Sequence, residues 1–222
     1  MFSRDLVPYH PSQTPPSFGN MPLEQGVRWP IRGRRWTTAL VDRIARRDRP
    51  ARRLMAVVHT DIVSYSRLYW LDNLGTVLRL RDLRRRLFEP SIRHHCGRLV
   101  QTAGDSMLIT FESISQAVRC AVAIQYALMI ENGVWPDERR ILLRVGVDLG
   151  DVIAEGWDFH GDSVIIATRL QAVCPPGGVC ISQAAHDRAG DRLGLPCEAL
   201  GPLALKNVAR PVEAFVLWPM TS

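Results

Sequence analysis

Lysine is nearly missing from this chain: Lys206 is the single example beside 27 arginines. Cysteine is sparse and unpatterned. Cys96, Cys120, Cys174, Cys180 and Cys197 form no CxxC pair and are odd in number, which argues against a disulfide framework or a zinc site. No run approaches the roughly 18 apolar residues of a membrane-spanning helix. The opening residues, MFSRDLVPYHP, lack the apolar stretch of a secretory signal. A cytoplasmic protein is therefore expected, and 222 residues suit one domain plus an extension.

A basic excess is also missing from the part that reads as folded. Residues 1–53 hold 11 arginines against 4 acidic residues, whereas residues 54–222 hold 17 Lys/Arg and 18 Asp/Glu. A nucleic-acid-binding core would carry its basic patch on the folded part, so nucleic acid is not an expected partner. Residues 1–35 contain Pro8, Pro11, Pro15, Pro16, Pro22 and Pro30 with few periodic apolar positions, and are expected to be a disordered extension. Residues 36–53 read as a short basic amphipathic helix and linker, with Trp36, Leu40 and Ile44 four apart. Docking on the chain's own domain or on a dimer partner is the expectation. Contact of residues 28–53 with an acidic membrane surface is the alternative, because basic amphipathic helices bind there.

From residue 54 to residue 218 strands and helices are mixed. LMAVVHTDI reads as a buried strand and NLGTVLRLRDLRRRLFEPSIRH (73–94) as a long helix, kinked or restarted at Pro90. Leu74, Val77, Leu78 and Leu87 fall near one stripe of it, with Arg84–Arg86 largely in water. RLVQT and SMLITFE read as a hairpin around TAGDS. Ser113 is a candidate cap for the helix ISQAVRCAVAIQYALMIEN. LLRVGVDLGDVIAEG reads as a long strand or hairpin, VIIATRLQAV as a helix, GGVCIS as a strand and HDRAG as a short helix. A strand pair is expected around LALKNVARPVEAFVLW. Antiparallel neighbours with helices on one side predict an α+β fold, an α/β sandwich rather than a doubly wound sheet.

Three features of this region invite chemistry. Asp61 ends an apolar strand, and Asp105 sits at the tip of the TAGDS turn. Carboxylates so placed can meet at one sheet edge and hold one or two Mg²⁺ or Mn²⁺ ions, which take oxygen ligands and phosphate. The following residues, Ile62, Val63 and Ser64, could turn backbone N–H groups toward a phosphate. Taken singly, a strand-end aspartate is also an ordinary cap and Gly-Asp an ordinary turn. Lys206 is the second feature, since lysine offers a compact point charge where arginine offers a fork; a lone instance is also compatible with chance. The third is DFHGDSVIIATRL, where Arg169 stands one turn beyond Ile165 on one helix face.

HTDIVSYSRL, GRLVQTAGDSMLITF, AVRCAVAIQ, VGVDLGDVIAEG, DFHGDSVIIATRLQAVCPPGGVCIS and LKNVARPVEAFVL follow one another over residues 54–218. In that order and spacing they resemble the catalytic domain of class III nucleotidyl cyclases, the adenylate/guanylate cyclase family. The resemblance implies a ferredoxin-like α/β sandwich working as a head-to-tail dimer, a homodimer or a heterodimer with another cyclase domain. It implies a nucleoside triphosphate substrate and two Mg²⁺ or Mn²⁺ ions per site, on Asp61 and Asp105. The ribose 3′-OH attacks the α-phosphate and pyrophosphate leaves. The family's transition-state arginine falls on Arg169, its phosphate-tail lysine on Lys206, and its base-reading pair on Gln101 and Asp158. Asp158 fits the adenylate pattern, in which an acceptor receives the adenine amino group, so ATP is the expected substrate, with GTP or a pyrimidine nucleotide as the alternative because the Gln101 amide both donates and accepts. Three positions depart from the family. Gln101 stands where adenylate cyclases usually carry lysine, His59 where an apolar or aromatic residue is usual, and Ile165 where an asparagine helps place the ribose. Ile165 leaves two readings: a slow cyclase, or a cyclase-like domain acting as a nucleotide-binding or regulatory dimerisation partner.

Overall fold

The structure is a computed structural model that describes residues 51–155, 158–189 and 194–219, with only the backbone for Ala51, Glu155 and Asp158. The expected N-terminal extension and the helix at residues 36–47 lie outside the described residues.

The chain opens with β1 (Ala51–Ile62), α1 (Tyr65–Leu71), α2 (Asn73–Leu83), a π-helical turn (Arg84–Phe88) and α3 (Glu89–His94). The hairpin β2 (Arg98–Ala103) and β3 (Ser106–Phe111) leads into α4 (Ile114–Asn132), a 3-10 turn (Asp137–Arg139) and β4 (Leu143–Glu155). Then come β5 (Asp158–His160), α5 (Asp162–Val173), β6 (Val179–Ser182), α6 (Gln183–Ala189), β7 (Cys197–Leu203) and β8 (Val212–Leu217). The strands form one sheet in the order β2-β3-β1-β4-β6-β8-β7, with β5 added to β4. Only the β4–β6 pairing is parallel among the described strands. This is the α+β architecture expected.

β1 explains the layering. Ala56, Val58 and Ile62 pack with Ala117, Val118, Ala121 and Ile124 of α4. Val57 points to the other face, in a cluster with Val152 of β4 and Ala167 of α5. Both faces of the strand are apolar because both are covered. The expectation of helices on one side is therefore corrected: α2, α3, α4 and α6 pack into one face and α5 covers the other.

α5 can lie close to the sheet because of Gly146. A Cβ built there would collide with the Ala167 carbonyl oxygen and the Gln171 nitrogen, both backbone atoms of α5. Gly146→Ala is expected to force the helix outward and destabilise the fold by about 1–3 kcal/mol. The check is the denaturation midpoint at unchanged slope.

Several local expectations change. A helix absent from the sequence reading occupies Tyr65–Leu71. The helix over 73–94 is interrupted by the π-helical turn upstream of Pro90, and Pro90 sits in the first turn of α3, the restart that was one of the two expected outcomes. Its buried side is Leu80, Leu83 and Leu87, whereas Leu74, Val77 and Leu78 are exposed. Both sets have helical spacing, so periodicity could not choose between them. Arg85 and Arg86 are exposed as expected, but Arg84 is half-buried and donates to the Gly104 carbonyl oxygen at 3.1 Å. Ser113 makes no side-chain capping bond. The short helix begins earlier than HDRAG, at Gln183, where the Ser182 hydroxyl accepts the Ala185 N–H at 3.2 Å. The partner of β8 is β7, upstream of LALK, and the Lys206 segment is the turn between them.

Candidate active site

β1 pairs with β3 such that Thr60 lies opposite Met107. The register puts Asp61, the penultimate residue of β1, beside the two-residue turn Gly104–Asp105, which Gly104 permits at φ 62°. The two carboxyl groups come within hydrogen-bonding reach. Partial burial and then the Asp105 charge push the Asp61 carboxyl above its ordinary 3.8, while Arg144 pulls it back.

Arg144 is a site residue that sequence reasoning missed. It lies opposite Asp61 in the β1–β4 register, is half-buried, and its Nε has no hydrogen-bond partner. The available signal was a lone charge inside the apolar run LLRVGV. The loop after Asp61 is narrower in chemistry than expected. The Val63 N–H is already given to the Leu142 carbonyl oxygen at 2.8 Å, which removes it as a phosphate donor. Ser64 takes a left-handed conformation, φ 53° and ψ 41°, uncommon for a residue with a side chain.

A second group stands on α5 and the β7–β8 turn. Arg169 is half-buried, and its Nε donates to the Lys206 carbonyl oxygen at 3.1 Å. Lys206 itself is exposed and follows the buried Leu205. Ile165, one turn before Arg169, is 44% exposed. Among the described residues no ion pair joins Arg169 or Lys206 to either aspartate, and neither is among the charges acting on Asp61.

A third group lines a cavity of about 220 Å³ between β1–β3 and α5. Gln101 reaches it from β2, where the register slips between Leu99 and Gln101; such bulges re-aim side chains. Ser106 and Leu108 of β3 and Val164 and Thr168 of α5 form further walls. His59 also lines it, half-buried, with its ring bonded to the Gln171 side chain; burial holds its pKa below the ordinary 6.5. Asp158 opens β5 opposite Glu155, and its side chain lies outside the description. A larger apolar cavity of about 470 Å³, bordered by Leu128, Leu142 and Trp218, shares no residue with this one.

The donor set suits a hard divalent cation. Asp61 and Asp105 offer only oxygens, crowd like charges together, and have no third His, Cys, Asp or Glu grouped with them among the described residues. Mg²⁺ is typically held by one or two carboxylates, with water and substrate phosphate completing its shell.

Residues 50–218 match the family model described as the adenylate and guanylate cyclase catalytic domain. A Rhizobium meliloti protein named "Putative adenylate cyclase 3" is 39% identical over 168 residues, which cover 76% of this chain and 29% of that protein. The serine/threonine-protein kinase pkn2 of Myxococcus xanthus is 28% identical over 66% of this chain and 18% of its own length. The chain thus spans less than a third of these two curated relatives. The crystal structure of an adenylate/guanylate cyclase/hydrolase from Silicibacter pomeroyi superposes with a TM-score of 0.71 at 36% identity, covering 77% of this chain and 99% of that one. The adenylyl cyclase CyaB from P. aeruginosa shares the fold at a TM-score of 0.68 and 17% identity, over 78% of this chain and 97% of that one. No helix among the described residues is long and apolar enough to cross a membrane. On these grounds the chain belongs to the adenylate and guanylate cyclase catalytic domain family.

Proposed function

We propose that this chain converts a nucleoside triphosphate, foremost ATP, to its 3′,5′-cyclic nucleotide and pyrophosphate, for signalling in the cytoplasm. The observation that carries the reading is the pair Asp61–Asp105, drawn together where the end of β1 meets the β2–β3 turn, with Arg144 beside it. Asp61 and Asp105 would hold Mg²⁺ or Mn²⁺, two per site, which when bound favours ionisation of the ribose 3′-OH and offsets phosphate charge. Arg144 offers a guanidinium to phosphate oxygens from the same side. Arg169 of a second copy stabilises charge growing on the α-phosphate, and its Lys206 meets the outer phosphates. Gln101 and Asp158 of that copy hold the base.

The need for two copies is supported by the electrostatic separation of Arg169 and Lys206 from the aspartates. Each chain then carries two halves of different sites, and a head-to-tail pair completes both. Purified protein incubated with ATP, GTP, CTP or UTP and Mn²⁺ is expected to form cyclic product mainly from ATP. Its specific activity should rise with protein concentration until the dimer saturates in sedimentation. No product from any nucleotide, at concentrations where the dimer is seen, overturns the reading. The exposed Ile165 favours one second reading, a domain that binds nucleotide and regulates a partner cyclase without turning over quickly itself.

A further inference from the structure

The π-helical turn has a cause in Pro90 and an effect at Arg84. Pro90 has no N–H to give to the Arg86 carbonyl oxygen, and in a continuous α-helix its ring would clash there. The chain widens upstream instead, and the Glu89 N–H reaches the Arg84 carbonyl oxygen five residues back. Such π turns are rare and concentrate at functional sites. This one opens at Arg84, whose guanidinium crosses to the β2–β3 turn. Arg84 Nη2 donates to the Gly104 carbonyl oxygen at 3.1 Å, in the peptide group that joins Gly104 to Asp105. Arg84 Nε is buried without a hydrogen-bond partner, so the side chain keeps this pose at a cost. The turn itself is open. Gly104 is exposed at φ 62°, with no atom within 4 Å of where a side chain would begin. The Ala103–Ser106 strand pair and a bond from Ser106 Oγ to the Ala103 carbonyl oxygen at 3.0 Å run across it. Neither holds the Gly104 carbonyl group, and glycine leaves that peptide plane free to rock.

We propose that Arg84 is a positioning residue: by holding the Gly104–Asp105 peptide plane it keeps the Asp105 carboxylate against Asp61, ready for a divalent cation. The inference rests on the reading of that pair as the metal site. Arg84 is not among the charges that act on Asp61, unlike Arg144. Its hydrogen bond, not its charge, is what reaches the site. The distinction fixes the sign of the effect. Removing a positive charge near a cation site leaves cation binding unchanged or tightens it. Releasing the peptide group that carries a ligand weakens it.

The test uses Mn²⁺ alone, without nucleotide or turnover. Free Mn²⁺ is followed by its paramagnetic resonance as the full chain is titrated, and amide hydrogen exchange is followed across the β2–β3 turn. In Arg84→Met, Mn²⁺ binding is expected to weaken about tenfold, the scale of losing a group that orients a metal ligand. The amides of the turn should exchange faster, while the melting midpoint without metal stays near that of wild type. Arg84→Lys keeps a donor and should recover part of the affinity. Arg85→Met removes an exposed charge one residue on and should leave Mn²⁺ binding unchanged. If Arg84→Met folds poorly, Arg84→Gln, too short to span the gap, decides by the same criteria. Mn²⁺ bound as tightly as in wild type or more tightly by the Arg84 variant, or weakened equally in Arg85→Met, would overturn the inference. Asp105→Asn separates the inference from the reading beneath it. Loss of Mn²⁺ in Asp105→Asn, with full binding in Arg84→Met, removes the inference alone. Indifference of Asp105→Asn to Mn²⁺ removes the cation pair and the inference together.

Discussion

Asp61→Ala and Asp105→Ala are each expected to lower cyclic-nucleotide formation by at least about 10²–10³-fold, the scale of losing a main electrostatic stabiliser of developing charge. The measurement is product formation with Mn²⁺ at saturating ATP. Stability should move the other way. Burial and the neighbouring Asp105 hold the Asp61 carboxyl above 3.8, so the folded protein binds that proton more tightly than the unfolded chain. Stability from this source is fully present below about pH 3.8 and is lost as pH rises through the elevated value. Asp105→Asn removes the adjacent charge. Without metal, the variant should resist denaturant better than wild type near pH 7, and the gap should close toward pH 4. Mn²⁺ should then stabilise wild type and not the variant, since a cation that binds only the folded state adds stability by mass action. A variant that melts earlier than wild type at neutral pH, with both responding equally to Mn²⁺, would show that the carboxylates are not a cation pair.

Ile165→Asn is expected to raise turnover by about tenfold to a hundredfold. One positioned polar group in a transition state is worth about 10²–10³ in rate, and a new amide will not recover all of it. The structure makes the change cheap: Ile165 is 44% exposed and four residues before Arg169 on the same helix. An exposed isoleucine contributes little to folding, so the melting midpoint should hold while kcat rises. An unchanged rate in a stable protein would mean that this face of α5 does not meet substrate. It would also favour the regulatory reading over the slow enzyme.

The fold class was legible because the apolar runs of β1, β4 and α4 are long and unambiguous. The burial side of α2 was not, since leucines at helical spacing lie on two of its faces and only the assembled sheet decides between Leu80 and Leu78. The aspartates and Arg169 could be named from the sequence because each belongs to a motif with defined spacing. The meeting of the two aspartates was expected as well, whereas the partner of Arg169 was not. That Arg169 meets the Lys206 turn depends on a helix and a hairpin 37 residues apart. Arg144 escaped notice because alternation marks it as one polar residue in a strand, and only the register with β1 sets it against Asp61. The spent N–H of Val63 was likewise invisible, since its acceptor, Leu142, is remote in sequence. Local pattern reports which residues are suited to a task, and long-range pairing decides which of them act together.

The seat of α5 on Gly146 has a consequence for evolvability. Where side chains separate a helix from a sheet, a substitution is absorbed by rotamers shifting in the layer between. Here backbone rests on backbone, and that cushion is gone. The height of Arg169 above the sheet is set by main-chain contact and is insensitive to drift in the surrounding core. The same rigidity makes position 146 intolerant of every side chain, whereas Ala172 and Val173, on the exposed side of the same helix, are free to vary. A comprehensive substitution map of this segment should therefore be steeply divided, with one glycine guarding the geometry and an outer face open to change.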